Sequence, residues 1–143
     1  MARRRISRSV SKRLKQARVA RLATVGADGR PHVVPICFAA DGEVFYTAID
    51  RKPKRVQAER LTRVVNIEAS GEVALVVDEY REDWASLWYV LVRGRARRVS
   101  GAQRTRAIRM LRRKYRQYAE GMLAEDALVI RIVARSVTVW GKV

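Results

Sequence analysis

Apolar residues recur along this chain with two periods, and where each period holds sketches the elements. Val19 to Val25 reads as a strand that stops at Gly26-Ala27-Asp28-Gly29, a turn rich in residues that tolerate positive φ, and Pro31 to Ala39 resumes as a second strand. Asp41-Gly42 turns the chain again and Glu43 to Ile49 makes a third strand, giving an antiparallel meander of the kind that builds barrels and sandwiches. The pattern then predicts a short helix from Pro53 to Leu61, a strand from Val73 to Tyr80 entered through a turn at Gly71, a long alternating strand from Val90 to Val99, and a last strand from Ala127 to Val139. Helical spacing governs two stretches. Ile108, Leu111, Tyr115 and Tyr118 recur every three or four residues within Gln103 to Tyr118, and Val10, Leu14 and Ala17 do so behind Ser7 or Ser9, either of which suits an N-cap. About six strands, two substantial helices and one short helix, without strand-then-helix alternation, predict an α+β fold of split β-barrel type with peripheral helices.

Length fits this picture: 143 residues make one domain, 1–143, with a basic helical segment over about 1–17. No apolar run approaches the roughly 20 residues that span a bilayer, so no membrane insertion is expected. The start MARRRISRSVSKRLKQARVA lacks an apolar stretch and a cleavage site of the secretory kind, and the expected location is the cytoplasm, with Arg3 to Arg5 fraying ahead of the first helix.

Charge changes the picture more. The formal net charge is +17, with 25 arginines and 6 lysines against 14 acids. The cations gather in the segment from Arg3 to Arg21, in the loop Arg51-Lys52-Pro53-Lys54-Arg55, and along Gln103 to Tyr118, where they coat the outer face of an amphipathic helix. The loop, coming straight after three strands, has the composition of an anion-binding site built on a sheet. No aromatics interleave with the cations as on a single-strand nucleic-acid platform, so no specific nucleic acid is expected, and a basic nucleic-acid-binding module is the remote alternative.

Other chemistry is sparse. Gly26-Ala27-Asp28-Gly29 opens a strand rather than a helix and lacks a dinucleotide fingerprint, and no P-loop is present. The single cysteine, Cys37, sits in a strand and reads as a core thiol; the single histidine, His32, has no nucleophile or metal-ligand partner in a known spacing. The acidic bend Asp78, Glu79, Glu82, Asp83 reads as a solvated loop, and no metal site is expected.

Several segments in order carry a resemblance: Arg21-Leu22-Ala23-Thr24-Val25, Asp28-Gly29-Arg30-Pro31-His32, Val33 to Phe38, Tyr46-Thr47, Lys52-Pro53-Lys54-Arg55, Val65-Asn66-Ile67-Glu68-Ala69, Asp83-Trp84-Ala85-Ser86-Leu87-Trp88 and Gly94-Arg95-Ala96-Arg97. Together, over Ala17 to Val99, they resemble the pyridoxamine-5'-phosphate-oxidase-like split-barrel superfamily, and within it the actinobacterial class of deazaflavin-dependent enzymes that use coenzyme F420. The resemblance implies a homodimer with the cofactor in a groove between two barrels, and a hydride passed between the reduced cofactor and a small organic substrate. It implies that Val34, Pro35 and Ile36 line the ring, that Thr47 and Ala48 lie along its tail, that Arg51, Lys52, Lys54 and Arg55 supply the phosphate cations, and that Trp88 is a ring-facing or dimer-interface aromatic. Superfamily relatives bind FMN or haem, so FMN is the alternative cofactor, and a cofactor-sequestering protein without turnover is the alternative role. Ala48 stands where the oxidase proper tends to carry asparagine, and no serine precedes Arg51-Lys52, which distinguishes this chain from that enzyme. No catalytic side chain is assigned by the resemblance.

Overall fold

A computed structural model describes residues 6–143; the expected fraying of Arg3 to Arg5 lies outside the described residues. The Ser7 side chain accepts a hydrogen bond from the Val10 amide at 3.2 Å, capping α1 (Arg8–Gln16). Val10 and Leu14, one helical turn apart, are buried and seat α1 on the core.

The strands are β1 (Ala20–Val25), β2 (Pro31–Ile36), β3 (Ala39–Asp41), β4 (Val44–Ala48), β5 (Glu72–Glu79), β6 (Trp88–Val99) and β7 (Val129–Gly141). They form one antiparallel sheet in the order β2-β1-β5-β6-β7-β4-β3. β2 and β3 occupy opposite edges, yet Ile36 and Ala39 are three Cα steps apart, a span of at most ~11 Å. The sheet must therefore curl until its edges approach, leaving a split between β2 and β3. The expected second strand from Pro31 to Ala39 is in fact two strands broken at Cys37-Phe38. The break is pinned from a distance: Phe38 N–H donates to the Tyr115 hydroxyl at 3.0 Å, and that hydroxyl lies 2.9 Å from the Arg18 carbonyl that it can donate to.

Helices close the sheet on two sides. α2 (Thr62–Ala69) buries Val64 and Ile67 in the main core with α1, while α3 (Gly101–Lys114) buries Ala107, Ile108 and Leu111 in a second core with Tyr46, Ala48 and Val129. β4 is consequently buried on both faces, Phe45 inward and Tyr46 toward α3. The short helix expected over Pro53 to Leu61 lies later, as α2, after a 3-10 turn at Ala58–Arg60. The reason is local: the Asp50 carboxylate accepts from the Lys52 amide at 3.1 Å, and Lys54 Nζ donates to the Lys52 carbonyl at 2.6 Å, holding this segment in a side-chain-bonded loop. α3 also ends earlier than expected, at Lys114, and Tyr118 belongs to a π-turn over Tyr118–Met122. Where β6 bulges at Arg93/Gly94, a Cβ on Gly94 would sit 2.2 Å from the Val133 carbonyl oxygen, so only glycine fits.

Candidate functional site

The break between β2 and β3 opens a cavity of about 270 Å³. One wall is the end of β2, Pro35 and Ile36, running into Cys37; the opposite wall is Thr47 and Ala48 of β4. Thr47 Oγ1 donates to the Cys37 carbonyl at 2.8 Å and ties the walls together. Over this apolar cleft stand three cations, Lys52, Lys54 and Arg63, with Asp50 and Tyr118.

Asp50 organises the polar end. Its side chain is 7% exposed, and it pairs with Lys52 Nζ, lies 3.4 Å from Lys54 Nζ and accepts from the Tyr118 hydroxyl at 2.6 Å. Burial pushes the carboxyl pKa up, but the hydrogen bonds from Lys52 and Tyr118 outweigh burial and hold it at about 2. Asp50 is therefore ionised at neutral pH. Tyr118 is pushed well above the usual phenol range by burial and by the bond to Asp50, so its proton stays on Oη. Arg63 is half-buried and pulled down by burial, partly offset by the nearby Asp50 charge. Arg63 lines the cavity and among the described residues has no ion pair and no side-chain hydrogen bond, which leaves its guanidinium donors unspent. Three cations against one carboxylate leave the cavity two positive charges in surplus, the charge complement of a phosphate group.

Of the ten residues expected at the site, the structure brings Pro35, Ile36, Thr47, Ala48, Lys52 and Lys54 around this cavity. Val34 is half-buried on β2 and packs against the main core, while Arg51 and Arg55 project as exposed side chains; the Arg51 amide donates to the Met122 carbonyl at 3.0 Å. Trp88 lies elsewhere, at the start of β6. Its Nε1 donates to Glu79 at 2.9 Å, the Arg13 guanidinium stacks 5.4 Å above its ring, and it lines a separate cleft with Arg13, Arg21 and Arg81. Asp50, Arg63 and Tyr118 were not legible as site residues. Arg63 follows the basic loop by eight positions and reaches the cavity only because Val64 and Ile67 pin α2, and because Asn66 donates to Thr24 Oγ1 of β1 at 3.0 Å. The signal that would have found it is its spacing: a cation directly before two core positions at helical spacing lies at the edge of the buried face.

Among the described residues no group of three or more His, Cys, Asp or Glu side chains is placed to hold a metal ion, and no helix is long and apolar enough to cross a membrane.

The fold is shared widely. The haem storage protein HutZ of Vibrio cholerae superposes with a TM-score of 0.73 at 18% identity, over 96% of this chain and 98% of its own. A conserved hypothetical protein of Mycobacterium tuberculosis superposes at 0.75 with 19% identity, over 99% of this chain and 90% of its own. A haem-binding protein of Mycobacterium smegmatis gives 0.73 at 15% identity, over 99% of this chain and 56% of its own. Identities this low carry the fold alone. No curated protein matches the chain. The sequence model of the family described as pyridoxamine 5'-phosphate oxidase matches residues 6–141, nearly the whole chain. With that match, and with a curled antiparallel sheet whose split edges frame a cationic cleft, this protein belongs to the pyridoxamine 5'-phosphate oxidase family.

Proposed function

We propose that this protein is an oxidoreductase that binds a phosphate-bearing flavin or deazaflavin, coenzyme F420 in the first instance and FMN as the alternative, in the cleft between β2 and β4. The observation that carries the reading is the joining of an apolar slot, Pro35, Ile36 and Ala48, to the cations Lys52, Lys54 and Arg63 in one cavity. A tricyclic ring takes the slot, and a phosphate takes the cations. β2 is an edge strand, so its outward backbone groups are unpaired within the sheet and meet the polar edge of a ring. When bound, such a cofactor supplies hydride transfer to an organic acceptor. The chain's own residues bind and orient. In this reading Lys54, anchored on the Asp50 and Lys52 carbonyls, contributes its charge to the phosphate, and Arg63, half-buried and without an ion pair among the described residues, contributes its free donors. Asp50 anchors Lys52 and Lys54, and the Tyr118 hydroxyl donates to Asp50 and fixes it in turn. Tyr118 holds its proton against Asp50 and is a positioning group, not a proton donor to substrate.

A second copy of the chain completes the groove in this reading. The outer face of the sheet carries exposed Val33 and Trp140, at 65% and 50% exposure, and Tyr89 stacks on Trp140 at 5.6 Å. These apolar side chains, set among charged ones such as Arg21, Asp78 and Arg93, suit burial against a copy of the same face.

The test is a fluorescence and calorimetric titration with F420 and FMN in parallel. Lys54→Ala with Arg63→Ala is expected to weaken binding by about 3 kcal/mol or more, since each charge-assisted contact contributes roughly 1.5–3 kcal/mol. Unchanged affinity in the double variant, or no saturable binding of either cofactor to the native protein, overturns the reading. Haem is the second reading, favoured by Cys37, a half-buried thiol that lines the cavity and is the type of donor that ligates haem iron. His32, the chain's only histidine, does not line it. A Soret band that shifts in Cys37→Ser distinguishes haem from flavin.

A further inference from the structure

A second cavity of about 370 Å³ opens on the far side of the Cys37-Phe38 break, where the C-terminal ends of α1 and α3 converge on β3. Its floor is apolar, with Ala39 and Met110, and its charged lining is wholly cationic: Lys15, Arg18, Arg113 and Lys114. Among the described residues none of these four is in an ion pair, although twelve such pairs form elsewhere. Like charges are thus gathered with nothing acidic to offset them, an arrangement that costs free energy in the absence of an anion.

Helix capping explains only part of the arrangement. Arg18 donates to the Lys114 carbonyl at 3.0 Å and Lys114 Nζ to the Leu14 carbonyl at 3.2 Å, so each helix end receives one cation. Each of these groups keeps further donors, and Lys15 and Arg113 cap nothing in this way. Lys114 is the most constrained. Its ammonium lies 3.9 Å from the Phe38 ring centroid and is half-buried, and burial together with the neighbouring Arg18 charge lowers its pKa to about 8. A bound anion would relieve both effects.

We propose that this cavity is a binding site for a small oligoanion carrying at least two phosphate or carboxylate charges, distinct from the cleft between β2 and β4. The proposal stands apart from the cofactor reading, because it uses none of the residues of that cleft. Arg18 and Lys114 are braced by the Tyr115 and Phe38 rings, Lys114 half-buried and Arg18 exposed, and Lys15 and Arg113 are exposed beside them on the same cavity. The ring of four suits a ligand whose charges are spread over several atoms, as in a diphosphate or a short run of glutamates.

The experiment is a calorimetric titration of the full chain carrying Lys54→Ala and Arg63→Ala, which silences the first cleft, with pyrophosphate and separately with triglutamate. The expected result is saturable binding of one equivalent per chain, weakened at least tenfold by adding Lys15→Ala with Arg113→Ala. Both of these side chains are exposed, so the fold is retained. Adding Arg93→Ala with Arg97→Ala instead, two exposed arginines of β6, should leave affinity within twofold. Stronger binding of pyrophosphate marks a phosphate ligand, and stronger binding of triglutamate marks an oligocarboxylate; either supports the site. No saturable binding of either probe, or an equal loss in the β6 control, overturns it and leaves only the general field of a +17 chain.

Discussion

Asp50 is the one acid lining the cleft between β2 and β4 among the described residues, and its protonation should be readable as stability. Its carboxyl titrates at about 2 in the folded protein against 3.8 for an unperturbed aspartate. A group whose pKa is lowered by folding stabilises the folded state above its unfolded value, and that stabilisation fades as pH falls toward the folded value. At 1.36 kcal/mol per unit, the shift amounts to about 2.5 kcal/mol at neutral pH, with about half remaining at pH 3. The perturbation is Asp50→Asn, which keeps the shape and an acceptor for the Tyr118 hydroxyl but removes the charge. Urea unfolding followed by tryptophan fluorescence, from pH 7 down to pH 2.5, should give native minus variant near 2.5 kcal/mol down to about pH 5, shrinking steeply below pH 4. Both proteins weaken in acid as other carboxylates protonate and the net positive charge grows, so the difference between them is the readout. A difference that stays flat through this window, or a variant as stable as the native protein at pH 7, would refute the account of Asp50 as a charged anchor for Lys52, Lys54 and Tyr118.

Two further substitutions test the parts of the fold that hold the clefts in shape. Tyr115→Phe removes the hydroxyl that accepts from the buried Phe38 amide at 3.0 Å, leaving that N–H unpaired at the strand break; a loss of about 1–3 kcal/mol and a melting temperature lower by roughly 4 °C or more are expected, and an unchanged melting temperature would show that the break is held by packing alone. Gly94→Ala places a Cβ 2.2 Å from the backbone oxygen of Val133, which no rotamer can relieve; the urea midpoint should fall by an amount equivalent to about 1–3 kcal/mol, and a midpoint equal to that of the native protein would mean that the β6/β7 bulge shifts freely.

The elements that the sequence reveals are those whose pattern is local. β5 and β6 alternate buried and open positions along most of their length, and Ser7 caps α1 through its own side chain, so period and cap suffice to find them. Division of the second strand at Cys37-Phe38 is invisible by the same logic, because the groups that grip it are on Tyr115, 77 residues away, and no glycine or proline marks the spot. α2 is misplaced for a related reason. Pro53 suggests a first helical turn, whereas the actual helix starts without a side-chain cap at Leu61, and side-chain bonds from Asp50 and Lys54 keep the loop from coiling. In the cleft between β2 and β4, Lys52 and Lys54 stand out by charge density, while Asp50 has no sequence signature: a single acid at a strand end looks like any turn residue until Tyr118 and two lysines close on it.

The charge surplus itself has a structural reading. With 31 basic side chains and 14 acidic ones, most cations cannot be neutralised one to one, and their destinations are informative. Some pair on the surface, such as Arg21 with Asp78 at 2.8 Å and Arg95 with Glu72 at 2.7 Å, exposed contacts that contribute little. Others cover helix ends and rings, as Arg112 does with the Leu123 carbonyl at 2.8 Å and Arg18 with the Tyr115 ring at 4.7 Å. A solvated role is sufficient for the cations on the outer face of α3. It is not sufficient for Arg63 or Lys114, because both are half-buried, both have their charged forms disfavoured by that burial, and neither has an acidic partner in contact among the described residues. Burial of an unpaired cation is opposed by several kcal/mol unless something offsets it. In a chain with abundant water-exposed positions for its arginines and lysines, two that are half-buried in the lining of two separate cavities are the positions at which the proposed anions would offset that burial.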